Sequence, residues 1–189
     1  MDRIPEGDLW QYELKLDGYR TIAVKQDCNV ALFSRNGNPL NEKFPSVAAS
    51  IRKLPFKYCI LDGEMVGLDE QGRHSFGSLQ NITTSKAPLR FYVFDLLNIN
   101  GEDLTKSTLQ KRRERLEEGF TSQVELSPIL PGDARTVLAH VKELNSKVSS
   151  QSDWISIYVP GKTSDAWQKH KTQASDDFLV GGYMRSARY

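Results

Sequence analysis

The chain has 189 residues, a formal net charge of +1 and a composition ordinary for a globular protein, which points to one domain or one domain with a small lobe. The balance of 25 Lys+Arg against 24 Asp+Glu excludes a global positive field for nucleic acid, so any such contact must be local. No apolar stretch approaches the roughly 20 residues of a membrane span.

Apolar–polar alternation predicts strands at about 10–15, 19–25 and 29–34, with a turn at Asp27-Cys28-Asn29. Arg35-Asn36-Gly37-Asn38-Pro39 is the strongest turn signal in the chain. Phe44 to Leu54 has helical spacing, bounded by Pro45 and Pro55. Strands follow at Tyr58–Leu61 and Glu64–Val66, hinged at Asp62-Gly63, and Phe91–Leu97 is apolar enough to be a buried strand. Ser107 to Glu118 is a charged amphipathic helix, and Asp133 caps another that runs to Leu144. Ser146–Ser152 is polar and the least regular stretch; strand-like runs close the chain at 166–171 and 178–183. Many short strands with inserted helices predict an α+β fold on antiparallel sheets.

No signal peptide is visible, and Cys28 and Cys59 lack Cys-x-x-Cys spacing, so the expectation is a reduced, cytoplasmic protein without a membrane partner. His74, His140 and His170 are scattered, and no metal-ligand cluster is expected.

Six features recur in order: Lys15-x-Asp17-Gly18-x-Arg20, Ser34-Arg35-Asn36-Gly37, Leu61-Asp62-Gly63-Glu64, Phe94-Asp95-Leu96-Leu97, Tyr158-Val159-Pro160-Gly161-Lys162 and Trp167-Gln168-Lys169-His170-Lys171. A lysine ahead of an Asp-Gly turn suits a covalent nucleophile if its surroundings make the amine neutral. Lys169 and Lys171, two apart on a strand, share a face and could offset phosphate charge. With these motifs, from about Leu9 to Tyr183, the sequence resembles the adenylation (nucleotidyltransferase) domain of ATP-dependent DNA ligases, in particular the bacterial and archaeal end-joining type.

The resemblance implies two antiparallel-sheet lobes flanked by helices around a nucleotide cleft, an ATP-grasp-like arrangement. It implies Lys15 as the adenylated residue. Glu13, Leu14, Arg20, Glu64, Phe94, Lys169 and Lys171 would contact the nucleotide, with Glu64 on the ribose and Phe94 stacked on adenine. Arg35 and Lys162 would meet DNA. ATP and Mg2+ are the implied cofactors, and nicked or broken duplex DNA the implied partner. The chain would be a single adenylation domain over 1–189, monomeric, without the family's oligonucleotide-fold domain. That missing function would come from a partner domain or protein in trans.

One family motif, Glu-Gly-apolar-apolar-x-Lys, is missing between Leu144 and Tyr158. Lys147 and Ser152 stand at the glutamate and lysine positions, and Val148–Gln151 between them lack an apolar strand pattern. This leaves two outcomes open: a working ligase domain, or a degenerate one that binds ATP, DNA or a repair partner with little catalysis. RNA ligases and mRNA capping guanylyltransferases share the lysine motif and form a third alternative.

Overall fold

The computed structural model describes residues 6–169 except 8, 81, 83–86, 117–122, 144–147 and 162–165. Alternating β-branched and aromatic residues build the larger sheet. Strand β2 (Tyr19–Gln26) turns at Asp27-Cys28 into β3 (Asn29–Ser34), with Asp27 at φ 51°, a left-handed position that Asp tolerates. β2 also pairs with β4 (Tyr58–Gly67), which pairs with β5 (Leu89–Ile99). The short β6 (Glu102–Asp103) and β7 (Val124–Leu126) complete six strands in two segments along β5.

Two expectations are corrected here. β7 runs parallel to β5, so this sheet is mixed rather than antiparallel. Asp62-Gly63 is not a hinge between two strands. β4 runs straight through it, and the irregularity is absorbed as shifts of register against β5 at Ile60/Leu61 and Asp62/Gly63. Gly63 makes this possible. A Cβ there would lie 2.5 Å from the Tyr92 carbonyl oxygen and 2.7 Å from the Phe91 ring, so only glycine lets the strands close up.

The sheet's period of two sorts its faces. Leu32, Leu61, Met65, Phe91 and Val93 are fully buried on one face, under Val47 and Ile51 of helix α1 (Pro45–Arg52). The opposite face carries Arg20, Glu64, Arg90, Tyr92 and Phe94, none of them fully buried. Helix α2 (Phe76–Gln80) packs on β4 through buried Leu79. Helix α3 (Leu109–Glu114) packs on β5, its N-cap Thr108 accepting from Lys111 N–H.

The smaller sheet has the order β10-β9-β1-β8, all antiparallel: β10 (Trp167–Lys169), β9 (Val148–Asp153), β1 (Trp10–Leu14) and β8 (Ile129–Leu130). Tyr12 packs with Ala134 and Val137 of helix α4 (Ala134–Glu143), where the Asp133 carboxylate accepts from Thr136 N–H at 2.8 Å. The stretch read as least regular, 146–152, holds all of β9 but its last residue, and β9 is an inner strand. Its ladder is satisfied on both sides, by β1 and β10, and that pairing outweighs its poor strand composition. Strand 178–183 lies outside the described residues.

A Gly63→Ala substitution should lower unfolding free energy by about 1–3 kcal/mol, the usual cost of overpacking, in urea denaturation. An unchanged midpoint would mean that β4 and β5 separate freely.

Candidate functional site

β1 delivers Lys15 just past its last residue, and Leu16-Asp17-Gly18 turns the chain into β2. Gly18 sits hard against β4: a Cβ would fall 2.0 Å from the Met65 carbonyl oxygen. Its N–H donates to Glu64 Oε1 at 3.1 Å, so the turn after the lysine is pinned to the larger sheet. Lys15 Nζ pairs with Asp17 Oδ1 at 2.5 Å, and the lysine side chain is only 21% exposed.

A cavity of about 950 Å³ opens between the sheets. Glu13, Leu14, Lys15, Arg20, Arg35, Glu64 and Phe94, singled out from the sequence, all line it. Phe94 is half-buried on the face away from the core, rather than a core residue of its apolar strand. Arg35 is exposed in the turn after β3. Lys169 lies on β10 with its backbone opposite Ser150, while Leu14 is opposite Val148. Both strands therefore flank one short stretch of β9, about two strand spacings apart, or roughly 10 Å. Ser152 is placed as backbone, between Gln11 and Trp167. Lys147, Lys162 and Lys171 lie outside the described residues.

The cavity wall is built from three matched charge pairs. Asp62, fully buried, accepts from Arg20 Nε at 3.1 Å and Nη2 at 2.6 Å. These bonds raise the Arg20 pKa further, and its guanidinium carbon lies 5.8 Å from the Phe94 ring centre. Tyr158 donates its hydroxyl to Asp62 Oδ2 at 3.0 Å, and burial, then the charge of Asp62, pushes its pKa up to about 12.

Directly across from Asp62 on β5 is Asp95, buried and held side-on by Arg112 Nε at 2.6 Å and Nη2 at 2.9 Å. Two carboxylates facing across strands repel, and each is offset by its own arginine. Burial still raises the Asp95 carboxyl above the ordinary range. The third pair joins the sheets. Glu13 on β1 accepts from Arg113 Nη1 at 2.7 Å and Ser127 Oγ at 2.6 Å, with burial pushing its pKa up. Arg113 also donates to the carbonyls of Ser127 and Phe94.

Sequence reasoning assigned no role to Arg112, Arg113, Ser127 or Trp167. The arginines fall in the segment expected as a charged amphipathic helix, and both are buried. Trp167, whose ring centre is 5.5 Å from that of Phe94, carried a signal in its spacing: it is two residues from Lys169 on one strand and so shares its face.

Among the described residues, no three His, Cys, Asp or Glu side chains could together hold a metal ion. The carboxylates lining the cavity already have partners: Asp17 with Lys15, Glu64 with Gly18 N–H, Glu13 with Arg113 and Asp95 with Arg112. The described donor set therefore does not fit a protein-held Mg2+. No described helix is long and apolar enough to cross a membrane.

The family described as ATP dependent DNA ligase domain matches residues 2–171. The chain is 33% identical over 177 residues to the multifunctional non-homologous end joining protein LigD of Mycolicibacterium smegmatis, covering 93% of this chain and 23% of that protein. It is 35% identical over 189 residues to LigD of Pseudomonas aeruginosa, covering 97% and 22%. The chain thus spans under a quarter of the length of these relatives. Among solved structures, it resembles the ligase domain of M. tuberculosis LigD (TM-score 0.75, 29% identity, 88% of this chain and 56% of that one). It also resembles a mycobacterial DNA ligase D complexed with ATP and MES (TM-score 0.76, 29% identity, 88% and 55%). The fold is that of these ligase domains, and the ATP-grasp comparison drawn from the sequence finds no support in them.

The Tyr158–Asp62 bond sets a pH dependence. The folded phenol holds its proton above the ordinary value of 10.0, so its contribution to stability is complete below that pH and is lost as pH rises toward about 12. An ultraviolet difference titration of wild type against Tyr158→Phe should show the missing phenol ionising near the upper value. A midpoint near 10 would mean the bond does not hold.

Proposed function

The chain belongs to the family of ATP-dependent DNA ligase domains, related to the ligase domain of LigD end-joining proteins, and on that premise we propose that it carries AMP from ATP to DNA through Lys15. Once its ammonium proton has passed to Asp17 or solvent, the Lys15 amine would attack the α-phosphorus, forming a P–N bond as the bond to pyrophosphate breaks and the nitrogen gives a second proton to solvent. An oxygen of a DNA 5′-phosphate would then displace the lysine and take the AMP. A 3′-hydroxyl would displace AMP in turn and seal the strand.

The observation that carries this reading is the cavity itself. It sets Lys15 in one space with an aromatic pair, Phe94 and Trp167, and with the Arg20 guanidinium. An aromatic face suits a base, a guanidinium suits a phosphate or sugar oxygen, and a carboxylate such as Glu64 suits ribose hydroxyls as an acceptor. Leu14 adds apolar wall, and Glu13, held by Arg113, fixes the strand that carries the lysine. Lys169 and Lys171 are assigned to the α-phosphate. Exposed Arg35 on the rim, with Lys162, is assigned to DNA phosphates, contacts that position the duplex without reading sequence. The reading is completed by a cytoplasmic monomer that works on nicked or broken duplexes.

The second reading, a degenerate domain that binds ATP or DNA without completing the reaction, is favoured by one observation. Lys147 and Ser152 replace the acidic and basic ends of a family motif. β9 shows that the segment still forms a strand next to β1, so what is lost is side-chain chemistry rather than backbone. A missing preorganised charge typically costs about 10²–10³ in rate.

Intact-mass spectrometry after incubation with ATP and magnesium should therefore show slow gain of one adenylyl group, abolished by Lys15→Ala. The Lys147→Glu/Ser152→Lys double variant should accelerate it by about one to three orders of magnitude. Rapid adenylation of the unmodified chain would remove the degenerate reading. No adduct in either form would remove the ligase reading.

A further inference from the structure

Asp62 is fully buried and bonded to two side chains from opposite ends of the chain. One is Arg20, on the strand after Lys15. The other is Tyr158, on the segment between β9 and β10. That segment is anchored independently of Asp62: Tyr158 N–H donates to the Thr105 carbonyl at 2.9 Å, and the Ser156 carbonyl accepts from Leu109 N–H and Arg112 Nη1. The phenol therefore reaches Asp62 from a fixed backbone.

Asp62 Oδ2 accepts from both Arg20 Nη2 and Tyr158, while Oδ1 takes Arg20 Nε. Asp62 stands opposite the like-charged Asp95 across the strands. A neutral hydroxyl donor on Oδ2 fixes its plane without adding a further charge. Side-on binding through Nε and Nη2 leaves Nη1 on the edge turned away from Asp62, on a guanidinium that lines the cavity next to Phe94.

We propose that Tyr158 is a positioning residue: its hydroxyl locks the Asp62 carboxylate in the plane that clamps Arg20 side-on, so that the Nη1 edge of Arg20 is presented to the nucleotide. Tyr158 touches no reacting atom in this scheme and acts only through Asp62 and Arg20. The nucleotide part of the inference rests on the function proposed above; the Arg20 geometry does not.

The test uses the full chain and the variants Tyr158→Phe, Arg20→Lys and both together. Calorimetric titration with ATP should give an affinity about three- to tenfold weaker for Tyr158→Phe, the weight of one hydrogen bond. The same change in the Arg20→Lys background should cost nothing further, since a lysine cannot be held side-on. In parallel, the Nε–H resonance of Arg20 in ¹H–¹⁵N spectra should exchange with water at least several-fold faster in Tyr158→Phe than in wild type. A purely structural phenol would leave that resonance unchanged, and an unchanged resonance overturns the proposal. So does an affinity loss that persists undiminished in Arg20→Lys. If the wild type binds no ATP at all, the proposed function falls, and the Arg20 resonance still decides this inference.

Discussion

The cavity exists because a buried ion pair fastens one sheet to the other. Glu13 lies on β1, two residues before Lys15, and Arg113 lies on α3, which packs on the strand that carries Phe94. Both side chains are almost fully removed from water, at 2% and 3% exposure. Taking two charges out of water is costly, and their attraction repays it only when the remaining donors and acceptors are also engaged. Here most of them are: Ser127 supplies a second donor to Glu13, and the carbonyls of Ser127 and Phe94 receive further Arg113 N–H groups, while Arg113 Nε stays buried without a partner. Ser127 lies in the link from β7 to β8, where the chain crosses from the larger sheet to the smaller. Glu13 of the smaller sheet, Arg113 of the helix packed on the larger one, the Phe94 carbonyl of β5 and Ser127 of the crossing thus meet in a single network.

The same logic shapes the floor of the site. Asp62 and Asp95 face each other across β4 and β5, an arrangement that an unpaired sheet would avoid. Arg20 approaches one from the cavity side, and Arg112 approaches the other from α3. Arg112 also gathers the Ser107 and Ser156 carbonyls, so the segment leading from β9 toward Tyr158 is held by the helix that supplies Arg113. The first N–H groups of α3, on Leu109 and Gln110, donate to Ser156 and Trp154 carbonyls, which satisfies donors that a helix start leaves open. Helix α3 is therefore the hub through which the strand leading to Lys15, the strand of Phe94 and the Tyr158 segment are set relative to one another.

What the sequence revealed and what it hid follow from these interactions. The limits of β1, β2 and β3 were legible to within a residue or so, although β1 buries Gln11, Tyr12 and Glu13 in succession and so is covered on both faces. The motif residues were legible as a set, and the fold brings Lys15, Arg20, Glu64 and Phe94 to one cavity. β9 was hidden because its strand character comes from neighbours on both sides rather than from its own side chains. β7 itself was hidden, because three residues are too few to show a period, and alternation is in any case blind to the parallel direction of its pairing. Arg112 and Arg113 were hidden because a charge run on a short helix normally faces solvent; only the carboxylates of β1 and β5, distant in sequence, make their burial tolerable.

Glu13 and Arg113 act as one unit joining the sheets, and a double-mutant cycle on unfolding free energy measures that coupling. Glu13→Leu or Arg113→Met alone strands a buried partner and should cost about 3–5 kcal/mol. The double substitution removes both charges and should cost clearly less than the sum, leaving a coupling energy within the range of about 0.5–3 kcal/mol found for residues in contact. Additive losses, with no coupling, would mean that the two side chains stabilise their own sheets separately and that the cavity owes nothing to the pair.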